Sequence, residues 1–203
     1  DRALEKGCLY LVDSGAQYLD GTTDVTRTIA IGDPNESMIR HFTLVLKGHI
    51  AIATARFPKG TSGSQLDILA RRALWSEGLD YEHGTGHGVG HFLGVHEGPQ
   101  RISKFPNNVD LKPGMIISNE PGYYKAGSYG IRIENLVCVK AGDPLCFETL
   151  TLAPIDRSLI NTDLMEKEEI NWVNNYHTKV FDKISPLVDE KTKSWLLKAT
   201  ANL

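Results

Sequence analysis

The chain has 203 residues, 41% hydrophobic, 23% charged and 8% aromatic, enough to bury the core of one large domain or two small ones. A net charge of −3 with no run of Lys and Arg argues against nucleic acid and an anionic membrane surface as partners, and no apolar run approaches the roughly 18–20 residues that cross a bilayer. Cys8, Cys138 and Cys146 lack the spacing of a disulfide framework and read as buried, reduced thiols in a cytoplasmic setting.

The chain opens without Met or a signal-peptide pattern: Asp1-Arg2-Ala3-Leu4 runs almost at once into an apolar strand, as expected of the downstream part of a longer polypeptide. Residues 8–12 read as a buried strand that ends on the turn-forming triplet Asp13-Ser14-Gly15. Residues 16–19 resume a strand, Asp20-Gly21 supplies a tight turn, and the β-branched stretch 22–31 returns. Asp13 and Asp24 therefore fall on adjacent strands of one meander. A single Asp beside Gly is ordinarily a solvated turn residue.

Asp33-Pro34-Asn35-Glu36 starts a helix, with Asp33 as N-cap, Pro34 at the first helical position and Glu36 at the third. Ile39, Phe42, Leu46, Ile50, Ala53 and Phe57 keep one face buried until Pro58-Lys59-Gly60 ends it. His41 and His49 lie on this helix without a partner motif and read as face or edge residues. Ser64-Gln65-Leu66-Asp67 resembles the capping box of a second amphipathic helix, whose C-terminal cap is Gly78.

Next comes Glu82-His83-Gly84-Thr85-Gly86-His87-Gly88-Val89-Gly90-His91, three imidazoles among four glycines. It is too glycine-rich for a helix, so its backbone should approach a ligand or a neighbouring strand. A polar loop follows Val95-His96-Glu97-Gly98-Pro99. Residues 115–120 form a strand that delivers Glu120 at its end, Pro121-Gly122-Tyr123-Tyr124 turns, and residues 129–139 alternate as one strand in which Arg132 and Glu134 share a face. Residues 148–154 are a last strand. From Asn161 the chain is helical: Thr162 or Asp163 caps a run through Ile170, Val173, Tyr176, Val180 and Ile184, Pro186 interrupts it, and a shorter helix carries Trp195. The pattern is one α+β domain with a helical C-terminal appendage.

Peptide hydrolysis at neutral pH needs an activated water and a polarised carbonyl. Two divalent ions roughly 3.5–4 Å apart supply both. Asp13, Asp24, Glu120 and Glu134 with His87 would compensate two such ions; hard oxygen donors suit Mn²⁺ or Mg²⁺, and one imidazole shifts the preference toward Mn²⁺, Co²⁺ or Zn²⁺. Four buried carboxylates without metal would repel one another. Spacing alone does not bring them together.

Five motifs in order resemble the metallopeptidase family that includes methionine aminopeptidase, prolidase and Xaa-Pro aminopeptidase. They are Asp13-Ser14-Gly15, then Asp24 within Asp24-Val25-Thr26-Arg27-Thr28, then His87, then Asn119-Glu120-Pro121-Gly122, then Ile131-Arg132-Ile133-Glu134-Asn135. The stretches 83–90 and 95–99 are most similar to the cytosolic eukaryotic-type Xaa-Pro aminopeptidase branch. The resemblance implies the α+β pita-bread (creatinase/aminopeptidase) fold, a curved, mostly antiparallel sheet covered by helices. It divides the chain into a catalytic domain over 1–157, lacking its first helices, and a helical extension over 158–203. It implies that Asp13 chelates one metal and that His87 and Glu120 hold the other. Asp24 and Glu134 bridge the two, with Mn²⁺ first and Zn²⁺ or Co²⁺ as alternatives. Glu120 is also the implied general base, His83 and His96 contact the scissile region, and Arg132 holds a ligand carboxylate. His91 has no implied role, and Tyr123 and Tyr124 read as packing beside the site. A further family histidine has no counterpart in this chain. The implied substrates are peptides with N-terminal Xaa-Pro, and the implied assembly is a homodimer. A prolidase that cleaves only dipeptides and a peptidase-like binding module without chemistry are the alternatives; retention of all five donors weighs against the second.

Overall fold

The computed structural model describes residues 3–203; Asp1 and Arg2, the start of the expected 1–157 domain, lie outside the described residues. β1 (Cys8–Tyr18) and β2 (Gly21–Ile31) form one long antiparallel hairpin, in register from Cys8 opposite Ile31 to Tyr18 opposite Gly21. The turn expected at Asp13-Ser14-Gly15 is absent. An unbroken ladder to the β-branched partner strand satisfies those backbone groups and overrides their local turn preference.

Helix α1 (Glu36–Ala53) is capped by Asn35, not Asp33: the Asn35 side chain accepts the Met38 N–H at 3.0 Å. It also stops earlier than expected, so Phe57 sits on β3 (Arg56–Phe57), where its ring packs 5.1 Å from Phe147. Helix α2 (Gly63–Trp75) is capped by Ser62, whose N–H meets the Gln65 side chain. The capping box thus starts two residues before the expected one and leaves Asp67 free for a buried ion pair with Arg71. Gly78 lies past the Ser76 cap, at φ +70. The two helices meet where α1 has no side chain: a Cβ on Gly48 would lie 2.1 Å from the Ala70 carbonyl oxygen.

The short β4 (Gly86–His87) pairs with β5 (Arg101–Ile102). A four-stranded antiparallel sheet runs in the order β3, β10 (Leu145–Thr149), β9 (Asn135–Lys140) and β6 (Ile116–Asn119). Residues 121–124 do not turn; β7 (Gly122–Lys125) pairs with β8 (Tyr129–Arg132). The strand expected over 129–139 is therefore two. β8 belongs with β7 and β9 with β6, so the chain changes partners at Ile133 and Glu134. The last expected strand ends at Thr149. Cys138, Lys140, Cys146 and Glu148 share one face of the β9–β10 pair, which leaves both cysteines half-buried beside charged neighbours rather than in the core. Cys8 is also half-buried and free.

Helix α3 (Lys167–Ile184) is capped by Glu166 with Glu169, while Thr162 and Asp163 lie in a preceding 3₁₀ turn. After Pro186, Asp189 caps α4 (Glu190–Ala199). One core joins α1 to α3 and the β8 end through Phe42, Val45, Ile131, Ile133, Val173 and Val180; a second sits between α2 and the four-stranded sheet around Leu66, Ile117 and Val137. Among the described residues no helix is long and apolar enough to cross a membrane.

The α1–α2 contact yields a direct check. Gly48→Ala must force the helices apart and should destabilise the chain by about 1–3 kcal/mol, read as a lower thermal unfolding midpoint.

Candidate metal centre

The hairpin places the first two carboxylates. Asp13 stands opposite Thr26, and Asp24 precedes Thr26 by two residues, so all three side chains share one face. The eleven-residue interval between the aspartates is thus the length of a tight hairpin. Asp24 is buried, whereas about half of the Asp13 side chain is exposed.

β4 places His87. Gly86 lets this strand lie against β6, because a Cβ there would sit 1.9 Å from the Ser118 carbonyl oxygen. The His87 backbone N–H donates to Ser118 Oγ at 2.9 Å and its Nδ1–H to the Gly88 carbonyl at 2.8 Å. Nε2 is thereby turned toward Glu120 Oε1 at 3.3 Å and Asp24 Oδ2 at 3.5 Å. Glu120 follows β6 and is held by its N–H to the Thr85 carbonyl and by the Ser118 hydroxyl, which donates to Oε1 at 3.1 Å.

Glu134 occupies the change of partners between β8 and β9. Its N–H donates to the Thr26 carbonyl at 3.1 Å, and the Thr26 hydroxyl donates to its Oε2 at 2.6 Å. Donor atoms of Asp24, His87 and Glu134 all lie within 4.8 Å of one another. Glu120 adjoins this trio through His87. Asp13 stands apart, with Oδ2 bound by the Arg132 guanidinium at 2.6 Å. Arg132 also donates to Thr26 Oγ1 at 3.1 Å and to the Tyr124 hydroxyl at 2.9 Å, and its Nε lies 3.9 Å from Glu120 Oε2. β8 ends at Arg132, so no continuous strand carries both residues, yet the Arg132 and Glu134 side chains face the same way and meet at the Thr26 hydroxyl.

His83 donates Nδ1–H to its neighbour's carbonyl, Gly84 O, at 2.8 Å, and its Nε2 accepts the Tyr124 hydroxyl at 2.8 Å. Burial, then the charges of Arg132 and Arg71, holds its pKa below the ordinary histidine value. His96 is exposed, its ring 4.1 Å from that of His87 and nearly perpendicular to it. A cleft of about 550 Å³ opens among Asp13, His83, His87, His96, Glu120 and Arg132. His91 is exposed and lines a different cavity.

Several working residues escaped the sequence reading. Tyr124, read as packing, couples His83 to Arg132. Beneath the His83 loop, Arg71 pairs with Asp67 at 2.6 Å and donates to the His83 carbonyl at 3.0 Å, while Thr85 donates to Asp67 at 2.6 Å. The available signal was an Asp and Arg four apart on the apolar Leu66–Ala70–Leu74 side of α2. Thr26 carried no signal because its partner Glu134 is far away in the chain, and Ser118, though two residues from Glu120, is fixed there by the distant His87 backbone.

The electrostatics are those of a cation site. Burial, then the charge of Glu120 and those of Asp24 and Asp13, raises the Glu134 pKa from 4.5 to about 8, with the Thr26 hydroxyl opposing. Burial also raises Glu120, against the opposing effects of His87, Ser118 and Arg132. For His87, burial disfavours charge, but Asp24, the Gly88 carbonyl and Glu120 outweigh it and the pKa rises. Crowded oxygen donors around one imidazole fit divalent cations, whose charge would offset the carboxylate shifts.

The model of metallopeptidase family M24 matches residues 1–141, and that of the C-terminal region of peptidase M24 matches 143–203. A probable Xaa-Pro aminopeptidase P of Coprinopsis cinerea is 54% identical over 97% of this chain and 34% of its own length. The crystal structure of X-prolyl aminopeptidase from Caenorhabditis elegans, described as a cytosolic enzyme with a di-nuclear active site, superposes at TM-score 0.91 with 47% identity, covering 96% of this chain and 34% of that one. Prolidase from Pyrococcus furiosus gives a TM-score of 0.68 at 35% identity, over 75% of this chain and 44% of that one. The chain thus spans about a third of the length of the curated relatives it matches.

Glu134, Glu120 and His87 are all raised, so the metal-free fold holds their protons more tightly than the unfolded chain does. The stability these three groups contribute is therefore fully present at low pH and is lost as pH rises, for Glu134 between 4.5 and about 8. Burial holds His49 at about 3 and His177 at about 4, so their neutralisation adds stability up to the ordinary histidine pKa of 6.5. Above it the unfolding midpoint of the chelator-treated chain should fall, to about pH 8, and Mn²⁺ should reverse the fall. A flat metal-free profile would contradict this.

Proposed function

The chain belongs to metallopeptidase family M24 and has the pita-bread fold, and from that membership we propose that it carries the catalytic centre of a dinuclear-metal Xaa-Pro aminopeptidase. The reaction is release of the N-terminal residue from peptides with proline in second position. The observation that carries the hydrolytic reading is the convergence of Asp24, His87 and Glu134 within 4.8 Å, with Glu120 against the same imidazole. The Xaa-Pro specificity is supported by the similarity to Xaa-Pro aminopeptidases at 54% and 47% identity, against 35% and a lower TM-score for the prolidase.

In this reading Asp13 would hold one ion, His87 and Glu120 the other, and Asp24 and Glu134 would contribute to both; Mn²⁺ is the ion the donor set favours. When bound, the ions supply Lewis acidity and a nucleophilic water at neutral pH. Arg132 aims the Asp13 carboxylate through the 2.6 Å contact to its Oδ2. Glu120 would take the proton of the attacking water and return it to the departing amine. His83 has spent Nδ1–H on Gly84 and keeps Nε2 as an acceptor, so it suits proton transfer better than donation to an oxyanion. His96, with its exposed ring at the mouth of the cleft, is the donor toward the peptide carbonyl. Residues 1–157 form the catalytic domain and 158–203 its helical extension, in a cytoplasmic homodimer.

Hydrolysis of an Xaa-Pro-Yaa tripeptide, its Xaa-Ala-Yaa counterpart and an Xaa-Pro dipeptide, with and without Mn²⁺, tests the proposal. Metal-dependent cleavage of the proline tripeptide is expected, with a loss of at least about 10³-fold in Glu134→Ala. Cleavage confined to the dipeptide would make the chain a prolidase. Bound metal without turnover of any peptide would overturn the enzymatic reading.

A further inference from the structure

Arg27 is a buried charge that the hydrolytic site does not use. It follows Thr26 on β2 and so lies on the opposite face of the hairpin from Asp13, Asp24 and Thr26. Among the described residues all of its hydrogen-bond acceptors are neutral. Nε donates to the Pro154 carbonyl at 2.9 Å, one terminal nitrogen to the carbonyls of Thr26 at 2.8 Å and Glu134 at 2.6 Å, and the other to Asn135 Oδ1 at 2.7 Å, the Ala153 carbonyl at 2.8 Å and the Tyr176 hydroxyl at 3.0 Å. A guanidinium spent this way costs desolvation without an ion pair in return, so its value lies in the geometry it imposes.

That geometry centres on Glu134. The residue sits where the chain leaves β8 and has not yet joined β9, so no strand ladder fixes its backbone. What fixes it is its own N–H on the Thr26 carbonyl and one Arg27 nitrogen shared between the carbonyls of Thr26 and Glu134. Asn135 is held from the far side by His49 Nε2 at 3.2 Å. Tyr176 reaches the same guanidinium from α3. Its hydroxyl also donates to the Ala153 carbonyl at 2.9 Å, and its ring stacks on Trp172 at 5.2 Å and 3°.

We propose that Arg27 and Tyr176 form a clamp through which helix α3 of the C-terminal extension sets the position of Glu134. They are positioning residues, and the inference rests on the reading of Glu134 as a metal ligand. The extension is then part of the metal centre's support rather than a cover on the sheet. Side chains that orient a ligand in this way tune metal affinity without touching the ion.

Calorimetric Mn²⁺ titration of the full chain and of Tyr176→Phe and Arg27→Lys tests the clamp. Tyr176→Phe keeps the stacked ring and loses only the hydroxyl. With a metal-free unfolding midpoint close to that of the unmutated chain, it should bind Mn²⁺ about 3–10-fold more weakly. Arg27→Lys, which loses the planar fork, should lose about 10–100-fold. Uptake by the unmutated chain with affinity in Tyr176→Phe unchanged within about twofold would overturn the clamp and leave the ligand reading standing. No uptake by the unmutated chain would overturn that reading and the clamp with it. Where Tyr176→Phe fails to fold, amide hydrogen exchange on the unmutated chain decides: Mn²⁺ should slow exchange around residues 173–180 more than in α4, because coupling is reciprocal. Equal effects on the two helices would overturn the clamp.

Discussion

A carboxylate held in a buried gap between two strand pairs organises this molecule. Glu134 is 2% exposed, and its carboxylate accepts the hydroxyl of Thr26, on the hairpin that also carries Asp13 and Asp24. Burying an ionised carboxylate beside other carboxylates is unfavourable unless positive charge joins them. The hairpin, the break between β8 and β9, and the strand carrying His87 all converge on this one spot. The fold thus assembles a site that is strained in charge when alone and relieved when it holds cations.

Two arginines frame the site in different ways. Arg132, on the cleft side, spends its charge on Asp13 and approaches Glu120, so it acts on carboxylates directly. Arg27, behind the sheet, meets only neutral acceptors and acts on the chain path. The glycines of the central stretch have an equally physical role. Gly86 allows β4 to lie against β6 closely enough for His87 to share Ser118 with Glu120. In this way backbone packing becomes the geometry of side chains.

The elements that were legible in the sequence were those with local causes. Hydrophobic spacing gave α1, α2 and α3, and the apolar runs gave β1 and β6. Each acidic motif sits at a strand or beside one, so Asp24, Glu120 and Glu134 could be located before their convergence could be known. What escaped notice depends on distant partners. Asp13-Ser14-Gly15 looks like a turn, yet the pairing with Val25 and its neighbours keeps it extended. The stretch 129–139 alternates throughout, and only the separate partners β7 and β6 divide it. Tyr124 and Arg27 read as ordinary residues because their contacts, His83 for one and Tyr176 for the other, are far along the chain.

The most direct measurement is anomalous diffraction at the manganese edge from crystals grown with Mn²⁺. Two peaks roughly 3.5–4 Å apart are expected between Asp24 and Glu134, one beside Asp13 and the other beside His87 and Glu120. A single ion bound elsewhere, or none among these five residues, would contradict the assignment of the centre.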